Sequence, residues 1–359
     1  MTGKKRDLEK TKPAPPEAAP LLLEDLRRMI EETRRGAAAT VNAALTLLYW
    51  RIGRRINEEI LQGERAEYGK EIVVSLARQL EVDYGRGFSE KSLRHMLRFA
   101  EAFPDERIVS ALMRQLSWTH FLSIIYLQDS LQRDFYAEMC RIERWSTRTL
   151  QSKIGSLLYE RTALSKKPEE LARLELAALR DEDKLTPDLV FRDPYFLDFL
   201  GLTGAFQERD LEAAILREME AFILELGAGF TFAARQKRIT LDGDDFYLDL
   251  LFFHRYLRRL IAIELKLDKF RPEHKGQMEL YLRWLDKYER HEEEHAPIGM
   301  ILCVDKKQEQ IEILELGASG IHVAEYLVEL PPRKLLADKL HRAVELARMR
   351  LDGKIEGKE

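Results

Sequence analysis

The sequence predicts an all-helical N-terminal half followed by an α/β C-terminal half, a small mixed sheet flanked by helices. Three observations carry this. Apolar residues recur at helical spacing from Leu21 to about Glu175. From Asp210 onward, helix-period stretches alternate with short apolar runs of strand length. Between them, the charged stretch from Arg180 to Pro194 is interrupted by Pro187 and Pro194. A chain of 359 residues suits two domains.

Residues 1–20 are rich in Lys, Pro, Glu and Ala and lack an apolar stretch, so they read as a disordered tail and not a secretory signal. The helical domain is expected over residues 21–175. Leu22, Leu26, Met29 and Ile30 share one helix face, as do Val41, Leu45, Leu48 and Ile52. Gly85, Gly87 and Phe88 break the pattern, and Ser89 caps a helix carrying Leu93, Met96, Leu97 and Phe99 that ends before Pro104. Further helices are expected around 119–127, 131–142 and 147–158. Residues 176–204 read as a linker, with a short adaptor helix from Pro194 to Leu202.

The third segment, 205–345, changes character. Leu211 to Leu226 reads as one amphipathic helix closed by Gly227 and Gly229. Strands are expected at Arg238–Leu241, Phe246–Phe253 and Leu260–Leu267, with Asp242-Gly243 as a hairpin turn. A helix from Glu273 to Tyr288 follows, then strands at Ile298–Val304, Ile311–Leu316 and His322–Leu327, and a last helix from Lys334 to Met349.

Bulk composition bounds the function. Hydrophobic residues make up 45% and charged residues 33%, enough to bury a core under a charged surface. The net charge of −4 weighs against a nucleic-acid binder, although local basic patches decide phosphate contacts. The two cysteines, Cys140 and Cys303, form no disulfide framework, so a reducing cytoplasm is expected. No run approaches the roughly 18 apolar residues of a membrane span.

The chemistry concentrates in Leu260-Ile-Ala-Ile-Glu-Leu-Lys-Leu267. Alternation along a strand puts Glu264 and Lys266 on one face with Ala262, and Ile261, Ile263, Leu265 and Leu267 on the other. Asp249 is the single acid in the apolar core of the preceding strand, and there it needs a partner, a metal or water. If the two strands pair, Asp249 lies near Glu264. Phosphodiester hydrolysis uses a divalent ion to neutralise phosphate and activate water. Mg²⁺ needs only one or two carboxylates because it keeps several waters. Asp249 and Glu264 fit as ligands, with the Leu265 carbonyl available to complete the shell, and Lys266 fits as the group orienting water. The alternative is an ordinary strand with a solvated Glu/Lys face.

These residues resemble the PD-(D/E)xK nuclease core, and the wider string resembles the YhcG-like nucleases. The matching pieces are Glu220-Ala-Phe-Ile-Leu-Glu-Leu-Gly227, Gly229-Phe-Thr-Phe232, Arg235-Gln236, Gly243-Asp-Asp-Phe-Tyr-Leu-Asp249, Ala262-Ile-Glu-Leu-Lys266, Tyr281-Leu and Ile298-Gly-Met-Ile-Leu-Cys303. Leu248 departs from the pattern, standing where the motif has proline. In the helical half, Gly85 to Met96 and Leu116-Ser-Trp-Thr-His120 match too. The resemblance implies a restriction-endonuclease-like C-terminal fold and a helix-turn-helix-like element in the helical half. It also implies Mg²⁺-dependent endonuclease activity, with Mn²⁺ as a possible substitute, acting on DNA in preference to RNA. A further acid from the upstream helix is expected. Glu218 and Glu220 are the candidates, and Glu220 fits better by its distance from Gly227.

Accessory roles are open for Arg235, Gln277 and Tyr281; the last two lie one turn apart and either face the site or form a polar helix surface. Lys91, Arg94 and Arg98 either contact phosphates and bases or are a solvated helix face. Trp118 and His120 either stack on a base or pack helices. A homodimer is compatible with this class. A non-catalytic accessory protein retaining the fold is the rival reading. His291-Glu-Glu-Glu-His295 mimics a zinc motif but has loop-like flanks. Asp242-Gly-Asp-Asp245 lacks the spacing of a calcium loop, and no phosphate-binding loop implies a nucleotide cofactor.

Overall fold

The computed structural model describes residues 20–62, 66–202, 204 and 206–356. The tail expected at 1–20 lies outside them except for Pro20. Contacts divide the chain into two compact units, Met1–Trp118 and Thr119–Glu359.

The first unit holds α1 (Pro20–Gln62), α2 (Ala66–Tyr84), α3 (Glu90–Ala102) and α4 (Glu106–Leu112). The two apolar stretches at 22–30 and 41–52 belong to the single helix α1, because the intervening Gly36-Ala-Ala-Ala39 does not break a helix. Gly85, in the left-handed region at φ 88°, leads a 3₁₀ turn between α2 and α3. Ser89 caps α3 by accepting the Ser92 N–H. Helices α1 and α3 cross where Gly53 has no side chain: a Cβ there would sit 1.9 Å from the Met96 carbonyl oxygen.

The second unit opens with α5, which starts one residue before the boundary (Trp118–Ile124), then α6 (Ser130–Glu143), α7 (Thr147–Gly155), α8 (Leu158–Arg161), α9 (Glu169–Glu182) and α10 (Pro187–Val190). After β1 (Tyr195–Phe196) come α11 (Glu208–Arg217), α12 (Met219–Leu226), β2 (Phe230–Leu241), β3 (Asp244–His254), β4 (Arg259–Leu265), α13 (Pro272–Tyr288), β5 (Ile298–Cys303), α14 (Gln308–Ile313), β6 (Ile321–Leu327) and α15 (Arg333–Glu356). The six strands lie in the order β1-β6-β5-β4-β3-β2. Strands β2, β3 and β4 form an antiparallel meander, while β4, β5, β6 and β1 are parallel. The β2–β3 hairpin turns at Asp242 (φ 49°) and Gly243 (φ 95°), as the Asp-Gly signal predicts. One face of the sheet buries Ile261, Ile263 and Leu265 against α11 and α12; the other buries Ala262 and Ile301 against α13.

Four expectations need correction. Residues 176–202 are packed structure and not a free linker. Asp193 is half-buried there, accepting from Lys166, Lys306 and the Glu325 N–H. The adaptor helix at 194–202 is instead β1 and a 3₁₀ turn, because Tyr195 and Phe196 pair with β6. Leu211–Leu226 is two helices, since Glu218 leaves helical geometry at ψ 33°. The strand expected at 311–316 is instead the end of α14, whose Gln308-Glu-Gln run favours helix over strand, and the turn that follows it.

A buried ion cluster ties α8 to the sheet domain. Glu225 of α12 accepts from Arg161, from Arg192 and from the Phe196 N–H. Both guanidiniums are almost wholly enclosed. Glu225→Ala should therefore lower unfolding free energy by roughly 3–5 kcal/mol, the cost of leaving buried cations without their anion. Denaturant melts of the full chain test this, and an unchanged midpoint would remove the cluster from the account of stability.

Candidate active site

The β3–β4 ladder ends at the pair Leu250–Ile263. One step further, Asp249 faces Glu264, and their side chains replace the missing main-chain bonds. Asp249 Oδ2 accepts the Leu265 N–H at 2.9 Å. Glu264 Oε1 accepts the Asp249 N–H at 3.3 Å. Lys266 Nζ donates to Glu264 Oε2 at 3.1 Å. Main-chain bonds hold Lys266 in place, its N–H donating to Leu302 O and its carbonyl accepting from Tyr326 Oη. Acid, acid and amine therefore meet at one end of the sheet.

On β2, Gln236 lies between the pairs Arg235–Leu250 and Lys237–Leu248, across from Asp249, and takes a left-handed φ of 42°. A non-glycine residue held there costs about 1–3 kcal/mol, and such strain collects at functional positions. Its side-chain amide donates to Asp249 Oδ1 and to Glu212 Oε2, both at 3.1 Å. Glu212 comes from α11, one turn after Glu208. Glu208, Arg209, Glu212, Gln236, Asp249 and Leu265 line an open cleft of about 440 Å³. On the other side, Gln277 donates to Tyr281 Oη, which donates to Tyr247 O.

The electrostatics are those of crowded acids. Burial, then the Asp249 charge, pushes the Glu264 carboxyl up to about 7, against the pull of Lys266. Burial also raises Asp249 and Glu212, the latter further through Asp249. Lys266 is raised by Glu264, Glu208 and Asp249 despite its own desolvation. Two desolvated carboxylates beside a cleft with two more suit a hard divalent cation that takes oxygen ligands. Asp249 and Glu264 are the side chains that could hold it. Among the described residues, no group of three or more acidic, His or Cys side chains is already gathered as a cage.

Asp249, Glu264 and Lys266 are thus brought together. Glu220 is not: it stands exposed on α12, past the break at Glu218, and the helix acids that reach the cleft are Glu208 and Glu212 on α11. Glu218 is the cap between the two helices. Arg235 is exposed, and its charge offsets only part of the rise that burial and Asp249 impose on Glu212. Gln277 and Tyr281 are bonded to each other and, through Tyr281 Oη, to the Tyr247 carbonyl of β3; burial, then the charges of Glu264 and Asp249, push the Tyr281 hydroxyl up. Gln236 was visible only as part of the Arg-Gln dipeptide; its partner across β3 depends on register. In the first unit, Lys91 and Arg94 are exposed and Arg98 is half-buried on α3; Arg94 is paired to Glu90 and Arg98 to Glu101. Trp118 packs against Tyr49 and Phe99, and His120 meets Trp145 O. The zinc-like His291–His295 segment is irregular, beyond the end of α13.

Residues 188–341 match the YhcG PDDEXK nuclease domain, and residues 25–161 match the DUF1016 N-terminal domain. The chain is 33% identical over 345 residues to the protein named "Putative nuclease YhcG" of Escherichia coli (strain K12), covering 88% of this chain and 91% of that one. A crystal structure of a repair endonuclease from Pyrococcus abyssi is 21% identical over 36% of this chain and 50% of its own, with a TM-score of 0.25, too low to carry an argument.

The raised Glu264 has a signed consequence. The carboxyl is protonated up to about pH 7 when folded but only to about 4.5 when unfolded. Stability from this group therefore falls as pH rises from 4.5 to 7 and stays low above it. Each pH unit in that window is worth about 1.4 kcal/mol. Glu264→Gln, which mimics the protonated acid, should melt close to wild type at pH 4.5 and above it by up to a few kcal/mol at pH 8. Melting curves in chelator across that range test this; a gain that does not change with pH would contradict it.

Proposed function

Since the chain belongs to the YhcG family of PDDEXK nucleases, we propose that it is a divalent-metal-dependent endonuclease cutting DNA in preference to RNA. The observation that carries the reading is the meeting of Asp249, Glu264 and Lys266 at the end of the β3–β4 ladder, beside the cleft lined by Glu208 and Glu212.

Asp249 and Glu264 would hold Mg²⁺ or Mn²⁺, with the Leu265 carbonyl as a further oxygen ligand. When bound, the ion neutralises the scissile phosphate and lowers the pKa of the attacking water. Lys266 Nζ, anchored on Glu264, orients that water and offsets charge developing on the phosphate. Gln236 holds the Asp249 carboxylate in place and links it to Glu212, which takes the part expected of Glu220. Gln277 and Tyr281 form a fixed polar wall. Arg209 and Arg235 supply positive charge at the mouth of the cleft. Lys91, Arg94 and Arg98 on the Ser89-capped helix are proposed to contact nucleic acid. Both free thiols are buried, in keeping with a cytoplasmic setting.

Plasmid nicking with Mg²⁺ or Mn²⁺ tests the assignment. Asp249→Ala, Glu264→Gln and Lys266→Ala should each lower the rate by roughly 10²–10³-fold. Gln236→Ala and Glu212→Gln should cost roughly 10–100-fold, more in apparent metal affinity than in maximal rate. Glu220→Gln should cut like wild type. Cleavage by Asp249→Ala or Lys266→Ala at the wild-type rate would leave a nucleic-acid-binding protein with a nuclease fold.

A further inference from the structure

Helix α1 carries an apolar stripe that its own unit leaves bare. Met29 and Ile30 are 60% and 51% exposed, Val41 59%, Leu45 42% and Leu48 43%. Residues 36–50 contain no charged side chain, so among the described residues this part of the helix lacks the polar outer face that a solvated helix requires. Ala38, Val41, Leu45, Leu48 and Ile52 fall on alternating three- and four-residue steps, the seam of a coiled coil. The stripe runs on into an open apolar groove of about 520 Å³ between α1 and α2, lined by Ile52, Ile56, Ile72, Leu76 and Leu80.

The charges flanking the stripe identify what covers it. Before it the order is Arg27-Arg28, Glu31-Glu32 and Arg34-Arg35; after it the order is Arg51, Arg54-Arg55 and Glu58-Glu59. We propose that two copies of this chain associate through α1, antiparallel, with Val41 against the partner's Leu45 and Ala38 against the partner's Leu48. In that register Glu31 and Glu32 meet the partner's Arg55 and Arg54, and Arg27 and Arg28 meet the partner's Glu59 and Glu58; the one like-charge meeting, Arg35 with the partner's Arg51, is offset by the pairing of Arg51 with Glu106 of its own chain. The partner's Ile30 lies over the Ile52–Leu80 groove. Parallel pairing in register would set each charge against its own copy, so charge selects the antiparallel form. The overlap from Arg27 to Glu59 spans about 50 Å at 1.5 Å per residue. Arg54 and Arg55 already touch Glu58 and Glu59 along the helix at 3.1 and 2.9 Å. These are exposed pairs, easily exchanged for pairs across an interface.

Sedimentation of the full chain tests the proposal. Wild type should run at twice the chain mass of 42.0 kDa, and Leu45→Glu/Leu48→Glu at the single mass. Both side chains are exposed within the unit, so the melting of that variant, followed by circular dichroism, shows whether it remains folded. Arg55→Glu should weaken the dimer at least tenfold, and adding Glu31→Arg in the same chain should restore much of that loss. Register is read by oxidation: Val41→Cys/Leu45→Cys should cross-link, and Leu45→Cys alone should not. A monomeric wild type at tens of micromolar, a folded Leu45→Glu/Leu48→Glu variant that stays dimeric, or cross-linking by Leu45→Cys alone would overturn it.

Discussion

The candidate site depends on how one hairpin ends. Past Leu250 and Ile263, strands β3 and β4 no longer bond through their main chains, and two N–H groups would be left in a mostly buried place. Asp249 and Glu264 satisfy them crosswise, each side chain accepting a main-chain N–H from the other strand's end. A buried, unpaired N–H costs about 1–3 kcal/mol, so the exchange fixes both carboxylates. It sets the acids side by side at the sheet end without any ligand to draw them there. Lys266 follows two residues later on the same side, and its own main chain is held by β5 and β6.

That placement works against stability. Two acids in a poorly hydrated corner cannot both ionise cheaply, and Lys266 alone does not cancel them. Gln236 adds a further cost, a left-handed backbone in mid-strand, to bring its amide between Asp249 and Glu212. A fold selected for stability alone would relax both features. Their persistence at one point is why the cleft reads as a place where charge is to be neutralised from outside.

Much of this was legible in the sequence, and the losses have physical causes. Alternation placed Glu264 and Lys266 together because strand period is 2 and tolerates no ambiguity within three residues. The Asp242-Gly243 turn fixed the hairpin and hence the direction of β3. What alternation cannot supply is register between strands, so Asp249 opposite Glu264 was conditional and Gln236 opposite Asp249 was not seen. The helix acid was misplaced for a different reason. Leu211–Leu226 keeps apolar periodicity through Glu218, where the backbone departs from helix, and counting back from Gly227 therefore reached Glu220 and not Glu212. Glu208 and Glu212 did have a signal, an i,i+4 acid pair beside the buried Leu211, Ala214 and Ile215. At 311–316, Ile311, Ile313 and Leu314 fit either period, and the flanking Gln and Glu decided for helix. The 176–204 segment misled through its prolines: Pro187 starts a short helix, and the residues after it pack in spite of their charge.

The net charge of −4 can now be set against the proposed substrate. Whole-chain charge is a poor guide when four acids, Glu208, Glu212, Asp249 and Glu264, gather at one cleft. Bare, that cleft repels a phosphate backbone. A divalent ion reverses the sign of the site at the point where phosphate must approach, so metal and nucleic acid should help each other bind, with the acids as the reason. The basic residues near it, Arg209 in its lining and Arg235, whose charge acts on Glu212, are too few to draw in a long polyanion by themselves. On this reading the acidity that argued against nucleic acid in the composition is instead part of the device that makes its binding depend on metal.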